Sequence, residues 1–158
     1  MSLRNDGHRS PEGGPERVTK KPRPYAQWLL PVKPEQAMNT ILVIEDDWAV
    51  RELFAVELTS EGYNVVSIGE VESIKDKIES SRPDLVLLDI YRKGKDRWDV
   101  LNDIKKEDPR LSAIIVTAFD NYRNDRRLLL ADGYVIKSSY FDDLKQKIRE
   151  VLQRKGGS

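Results

Sequence analysis

The chain has 158 residues, about the length of one domain. Its 27 basic and 27 acidic side chains give a formal net charge of zero, which predicts no strong field for binding polyanions. It contains no cysteine, which excludes disulfides and thiolate metal sites. Neither a membrane span of roughly 18 apolar residues nor the apolar segment of a signal peptide is recognisable, so a cytoplasmic location is expected.

The composition changes near residue 38. Residues 1–38 hold six of the eight prolines and carry seven basic against four acidic residues, whereas the remainder carries 20 against 23. Because proline-rich sequence buries too little apolar surface to offset its ordering entropy, we predict an extended, disordered arm over 1–38. Two origins stay open for it: a native tail, or partly foreign sequence before a native start at Met38. An ordered domain is predicted over 39–154, followed by a flexible tail over 155–158.

From residue 39 onward, short apolar runs alternate with segments whose apolar residues recur at helical spacing. A polar helix is predicted over about 120–131, between the fourth and fifth strands. Five strands alternating with five helices predict a parallel sheet covered on both faces. The predicted strands are 40–44, 63–68, 85–88, 112–116 and 134–136.

The residues that follow four of these strands are polar and chemically complementary. Glu45 and Asp46 follow the first strand, Asp89 follows the third, Thr117 follows the fourth and Lys137 follows the fifth. Because the carboxyl ends of parallel strands share one edge of the sheet, these side chains should converge there. Carboxylates suit a divalent cation, whereas a hydroxyl and an ammonium suit an anion.

Four segments, in this order and spacing, resemble the receiver domain of two-component response regulators. The resemblance covers about residues 39–154. It implies an α/β fold, the (βα)5 flavodoxin-like, doubly wound parallel sheet with strand order 2-1-3-4-5. The four segments are IleLeuValIleGluAspAsp (41–47), ProAspLeuValLeuLeuAsp (83–89), IleIleValThrAla (114–118) and AlaAspGlyTyrValIleLys (131–137).

The resemblance implies that Asp89 accepts a phosphoryl group as an acyl phosphate. It also implies Mg²⁺ as the cofactor, because carboxylate oxygens are the ligands that this ion prefers. Asp46 and Asp89 would bind the ion directly, Glu45 through water, and Tyr91 through its backbone carbonyl.

Further roles follow from the same resemblance. The Thr117 hydroxyl and the Lys137 ammonium would each contact a phosphoryl oxygen, which makes them catalytic partners of Asp89. Tyr134 would be the switch aromatic, whose ring moves inward when Thr117 is drawn to the phosphoryl group. The alternative for Tyr134 is an ordinary half-buried strand tyrosine.

The implied function is a phosphoacceptor signalling module. Its partners would be a sensor histidine kinase or phosphotransfer protein and a downstream effector protein, with no membrane contact and no direct binding of nucleic acid. Whether the chain forms a homodimer is left open by the resemblance. Beyond its own phosphotransfer and dephosphorylation, no enzymatic activity is expected. The alternative is a phosphorylation-independent pseudo-receiver that acts as a protein-interaction module.

Several positions depart from the family pattern. Lys93 and Arg97 stand where proline and glycine are usual, within a basic loop that either steers an acidic partner or is merely solvated. Ser138 replaces a proline that normally follows a cis bond. Because a cis bond before serine costs roughly 3–4 kcal/mol, a trans bond is predicted. A haloacid-dehalogenase-type hydrolase is excluded, since Tyr91 stands where that family needs its second aspartate.

Overall fold

The computed structural model describes residues 38–69, 73–138 and 140–157. Except for Met38, the predicted arm lies outside the described residues, so its extended character and the domain limits at 39 and 154 stay predictions. In the part of the chain that is described, no helix is both long and apolar enough to cross a bilayer.

The described residues form seven strands, five of which make the central sheet. The strands are β1 (Thr40–Ile44), β2 (Asn64–Ile68), β3 (Leu85–Asp89), β4 (Tyr91–Arg92), β5 (Lys95–Asp96), β6 (Ser112–Thr117) and β7 (Gly133–Ile136). The central sheet is parallel throughout and has the order β2-β1-β3-β6-β7. Because β4 and β5 form a separate hairpin, β6 and β7 are the predicted fourth and fifth strands. The predicted 2-1-3-4-5 order is therefore confirmed.

Alternating side chains of the strands build an apolar core on each face of the sheet. On one face Ile41 and Val43 pack with side chains of the helices α1 (Trp48–Ser60) and α4 (Asp142–Gly156). On the other face, side chains of β1, β3 and β6 pack with the helices α2 (Ile74–Ser81) and α3 (Trp98–Glu107). A central strand covered on both faces must be apolar throughout, which accounts for the run Leu85–Leu88.

The strand registers bring the predicted site residues to one edge. Ile44 lies beside Leu88, Asp89 beside Val116, and Thr117 beside Ile136. The residues that follow these strands therefore emerge at the same carboxyl edge of the sheet, as the alternating pattern predicted.

The predicted polar helix over 120–131 is wrong as an α-helix. The structure has turns over 121–124 and a 3₁₀ helix over Arg126–Leu130. Three consecutive leucines follow Arg127, so the segment has no apolar stripe at the i, i+3, i+4 spacing that would pack an α-helix. The carboxylate of Asp125 also accepts a hydrogen bond from the Arg127 amide at 2.9 Å, which favours a tight turn.

A short hairpin after the third strand was not predicted. Tyr91 pairs with Asp96, and Arg92 pairs with Lys95, in antiparallel register. The two turn residues, Lys93 and Gly94, have φ values of 44° and 80°, as a two-residue hairpin turn of the primed type requires. The basic loop is therefore an ordered projection at the edge of the site.

Candidate functional site

Lys137 joins two of the predicted carboxylates. Its Nζ lies 2.8 Å from Asp89 Oδ2 and 2.6 Å from Glu45 Oε2, so one ammonium bridges the last residue of β3 and the residue after β1. The Glu45 residue is only 4% exposed, which places this contact at the base of the site. The Lys137 amide also donates to the Thr117 carbonyl at 2.7 Å, which fixes the backbone from which the ammonium extends.

The ammonium of Lys137 is charged throughout the physiological range. Burial disfavours the charged form, but the hydrogen bonds that Lys137 donates to Asp89 and Glu45 outweigh that cost and raise the pKa of Lys137 above its usual value. Two carboxylates therefore surround one ammonium at the end of the central strand.

Backbone amides orient both carboxylates. The Asp47 amide donates to Glu45 Oε1 at 3.0 Å, and the Tyr91 amide donates to Asp89 Oδ1 at 3.1 Å. Each carboxylate therefore has one oxygen on a backbone amide and the other on Lys137. Asp47 itself caps α1, because its carboxylate accepts hydrogen bonds from the backbone amides of Ala49 and Val50.

Asp46 has a different partner. Its Oδ2 forms a close ion pair with Nε of Arg92, a residue of β4. The neighbouring Arg51 donates from its guanidinium to the Glu45 carbonyl at 2.7 Å, which helps to fix the loop after β1. Two arginines that the sequence did not single out thus shape the site. The sequence feature that could have indicated Arg92 is its position three residues after Asp89, in the basic loop. Its pairing with Asp46 could not be predicted, because the hairpin determines where the side chain lies.

Thr117 and Tyr134 lie on the adjoining strands. Thr117 is fully buried, and its Oγ1 accepts a hydrogen bond from the Phe119 amide at 3.3 Å. The Tyr134 hydroxyl donates to the Phe119 carbonyl at 2.7 Å, and its ring packs against the core on the α2 and α3 face. Both residues therefore contact the backbone of Phe119, the loop residue that links the two predicted switch positions.

Two aromatic rings flank the carboxyl edge. Tyr91 and Phe119 contact each other edge to face, with ring centroids 4.8 Å apart. Tyr91 is half-buried against the core, whereas Phe119 is exposed. The pair connects the segment after Asp89 with the segment after Thr117.

The donor set has the chemistry of a magnesium site, because Glu45, Asp46 and Asp89 offer only carboxylate oxygens. Among residues 38–69, 73–138 and 140–157, however, no three acidic, histidine or cysteine side chains are arranged as a metal site. The contacts above explain this, since Lys137 and Arg92 take the carboxylates. The residue types fit Mg²⁺, and the present arrangement holds two cationic side chains.

The turn after Lys137 has the trans peptide bond that was predicted from the serine in place of proline. The described residues contain no cis peptide bond, so the bond between Lys137 and Ser138 is trans. Lys137 nevertheless reaches both Asp89 and Glu45, so a trans turn is compatible with the contact that the site needs.

A family model for the response regulator receiver domain matches residues 41–149. The chain therefore belongs to the receiver domain family of response regulators, the class of protein that its four sequence segments indicated.

Curated relatives agree with this membership. The chain is 30% identical over 119 residues to a probable transcriptional regulatory protein, TcrX of Mycobacterium tuberculosis, and 34% identical over 123 residues to the transcriptional regulatory protein AfsQ1 of Streptomyces coelicolor. Each match covers 74% of this chain but only 51% and 52% of these relatives, respectively. The chain thus spans about half the length of the curated relatives that it matches.

Solved structures support the same fold. The chain is 38% identical to the response regulator TrrA of Thermotoga maritima in complex with Mg²⁺-BeF, with a TM-score of 0.66 over 72% of this chain and 99% of that one. TrrA has also been solved in complex with the histidine kinase ThkA, and that match covers 73% of this chain and 99% of the TrrA chain at the same TM-score and identity. A CheY-like receiver domain from Methanospirillum hungatei is 28% identical, with a TM-score of 0.69 over 77% of this chain and 98% of that one.

Proposed function

We propose that this chain is a phosphoacceptor receiver, which takes a phosphoryl group from a histidine kinase or phosphotransfer protein on Asp89 with the help of Mg²⁺. The observation that carries the proposal is the 2.8 Å contact between Asp89 Oδ2 and Lys137 Nζ at the end of the central strand. A carboxylate nucleophile with a fixed cation beside it is the arrangement that phosphoryl transfer to an aspartate needs.

In the transfer step, a carboxylate oxygen of Asp89 forms the new oxygen–phosphorus bond. The phosphorus–nitrogen bond of the donor histidine breaks, and its electron pair goes to the imidazole. The Tyr91 amide holds the second oxygen of Asp89, while Lys137 offers its ammonium to a phosphoryl oxygen. When bound to Glu45, Asp46, Asp89 and the Tyr91 carbonyl, Mg²⁺ would neutralise charge that develops on the phosphoryl group.

Readout of the phosphorylated state would use Thr117 and Tyr134. Movement of the Thr117 hydroxyl toward the phosphoryl group would break its contact with the Phe119 amide. Because the Tyr134 hydroxyl holds the carbonyl of the same residue, the loop after β6 would change with it. By analogy with the longer transcriptional regulators that the chain resembles, we propose that a downstream effector protein recognises this change. We also propose that the phosphotransfer takes place in the cytoplasm.

Incubation with acetyl phosphate and Mg²⁺, followed by intact-mass measurement, tests this function. The wild type should gain one phosphoryl group, and Asp89→Asn should gain none. Equal labelling of both proteins would refute Asp89 as the acceptor.

The second candidate is a pseudo-receiver that works by binding alone. The ion pair between Asp46 and Arg92 favours it, because that pair takes a carboxylate that the metal needs. In this case neither the wild type nor any variant with an intact Asp89 would be labelled, at any Mg²⁺ concentration.

A further inference from the structure

We infer that Arg92 is an internal cation that competes with Mg²⁺ for Asp46, so that binding of the metal requires the Arg92–Asp46 ion pair to open. The inference rests on the proposed function, since it concerns the same magnesium site. It assigns a role in metal affinity to a residue of the hairpin rather than to one of the five residues at the strand ends.

The ion pair lies at the edge of the acidic cluster. The side chains of Arg92 and Asp46 are only 14% and 28% exposed, respectively, and Nε of the guanidinium contacts Oδ2 of the carboxylate. Solvent and salt screen such a sheltered pair much less than an exposed one. The pair is therefore a stronger competitor for a metal ion than an arginine on a solvated loop would be.

The hairpin presents Arg92 to this position. Arg92 pairs with Lys95 across the two strands, and the Arg97 amide closes the base by donating to the Ile90 carbonyl at 2.7 Å. Asp96, next to the base, accepts a hydrogen bond from the buried hydroxyl of Tyr122. With its base closed and its second strand held by Tyr122, the hairpin keeps the Arg92 backbone in place, so the ion pair forms with little loss of backbone entropy.

The charges of the site show what the pair does. Glu45, Asp46 and Asp89 bring three negative charges together, and Lys137 contacts only the first and the third. Arg92 supplies the cation for Asp46. A magnesium ion bound through the other oxygen of Asp46 would lie beside the guanidinium and be repelled by it. Direct ligation by Asp46 therefore needs Arg92 to withdraw.

Removal of the Arg92 charge should tighten magnesium binding. Because a charge about 4–6 Å away shifts the protonation of a carboxylate about tenfold or more, a similar gain in metal affinity is expected from Arg92→Gln. The matched control is Lys95→Gln, which removes the same charge from an exposed position of the same hairpin. That variant should change the affinity less than about twofold, because its charge is solvated and screened.

The experiment is a Mg²⁺ titration of the full chain, followed by tryptophan fluorescence, together with thermal unfolding with and without Mg²⁺. Arg92→Gln should bind the metal about tenfold more tightly than the wild type. Without Mg²⁺ it should also unfold at a lower temperature than the wild type. Added Mg²⁺ should raise its unfolding temperature more than it raises that of the wild type. A merely structural role for Arg92 would lower stability without increasing the gain from the metal.

The outcomes separate this inference from the proposed function. If Arg92→Gln and Lys95→Gln bind Mg²⁺ equally while acetyl phosphate still labels the wild type, the inference is overturned and the function stands. If neither Mg²⁺ binding nor labelling is found in any of the three proteins, both fail. Binding by Arg92→Gln at concentrations where the wild type shows none supports the inference most strongly.

Discussion

Lys137 Nζ lies 2.8 Å from Asp89 Oδ2, although Asp89 ends β3, Lys137 follows β7, and β6 lies between these strands in the sheet. The contact therefore spans the carboxyl edge and ties β7 to the central strand. Its strength depends on the charge of the ammonium, whose pKa lies above the usual value because the hydrogen bonds that it donates to Asp89 and Glu45 outweigh the effect of burial. The contact therefore predicts a defined dependence of stability on pH.

Lys137→Met should destabilise the fold at neutral pH by about 2–3 kcal/mol, since it leaves the sheltered carboxylates of Glu45 and Asp89 without their cation. A group whose pKa is raised on folding stabilises the native state fully below its unfolded pKa, about 10.4 for lysine, and loses that effect as the pH rises through the folded value. The difference between wild type and variant, measured by urea unfolding, should stay constant from pH 7 to 9 and shrink above about pH 10.4.

The control for this series is Lys106→Met, whose side chain is 78% exposed and pairs only loosely with Asp103 at 3.8 Å. It should change the free energy of unfolding by less than about 0.5 kcal/mol at every pH of the series. A Lys137→Met effect that fades between pH 7 and 9 would contradict the raised pKa.

Asp46→Ala should destabilise the metal-free protein by about 1–3 kcal/mol, because it leaves the sheltered guanidinium of Arg92 without its carboxylate. Repulsion among the three carboxylates would act in the opposite direction, because removal of one charge would then stabilise the protein. Urea unfolding without Mg²⁺ distinguishes the two. The control is Asp103→Ala, which removes an exposed partner of Lys106.

A double-mutant cycle sharpens this test. If the ion pair is formed, the double variant Asp46→Ala, Arg92→Gln should lose less free energy of unfolding than the two single variants lose together. The reason is that the effects of substitutions at residues in contact are not additive. Additive losses would show that the two side chains do not interact in solution.

Tyr122→Phe should lower the free energy of unfolding by about 1–2 kcal/mol, because it removes a hydrogen bond to the carboxylate of Asp96. Burial, together with that hydrogen bond, raises the pKa of Tyr122 above its usual value, so its phenol should not ionise with the exposed tyrosines. Thermal unfolding of the variant beside Tyr140→Phe, whose ring is 81% exposed, measures the loss. Equal unfolding temperatures for the two variants would mean that the hairpin is not anchored by this contact.

Phosphorylated Asp89 should decay slowly if the paired rings of Tyr91 and Phe119, which stand two residues after Asp89 and Thr117, cover the approach of water. Their rings are in contact at 4.8 Å, so they can exclude a water molecule from the line of attack on phosphorus. The double variant Tyr91→Asn, Phe119→Lys should lose its phosphoryl group about tenfold faster, which corresponds to about 1.4 kcal/mol of barrier. Decay at the wild-type rate would leave contact with a partner as the simplest role for the two rings.

The sheet and the strand-end residues were predictable because each depends on local sequence. The apolar run Leu85–Leu88 predicts a central strand covered on both faces, and Asp89 follows the run directly. The carboxyl edge then brings Glu45 and Lys137 to Asp89, a convergence that follows from the topology alone.

The rest of the site depends on packing that the sequence does not display. The hairpin Tyr91–Asp96 contains one glycine and is only two residues long on each side, too short for an alternating pattern to reveal. Without the hairpin register, the contact between Arg92 and Asp46 could not be inferred. The 3₁₀ helix Arg126–Leu130 was mistaken for an α-helix because polar composition does not distinguish the two.

The most direct test of the proposed chemistry identifies the phosphorylated residue itself. After incubation with acetyl phosphate and Mg²⁺, borohydride reduces an aspartyl phosphate to an alcohol, and peptide mass spectrometry locates the change. The peptide that contains Asp89 should carry the reduced residue in the wild type, and the change should be absent from Asp89→Asn. Reduction at Asp46 or at any other carboxylate, or at none under conditions where the fold is intact, would contradict the assignment of Asp89 as the phosphoacceptor.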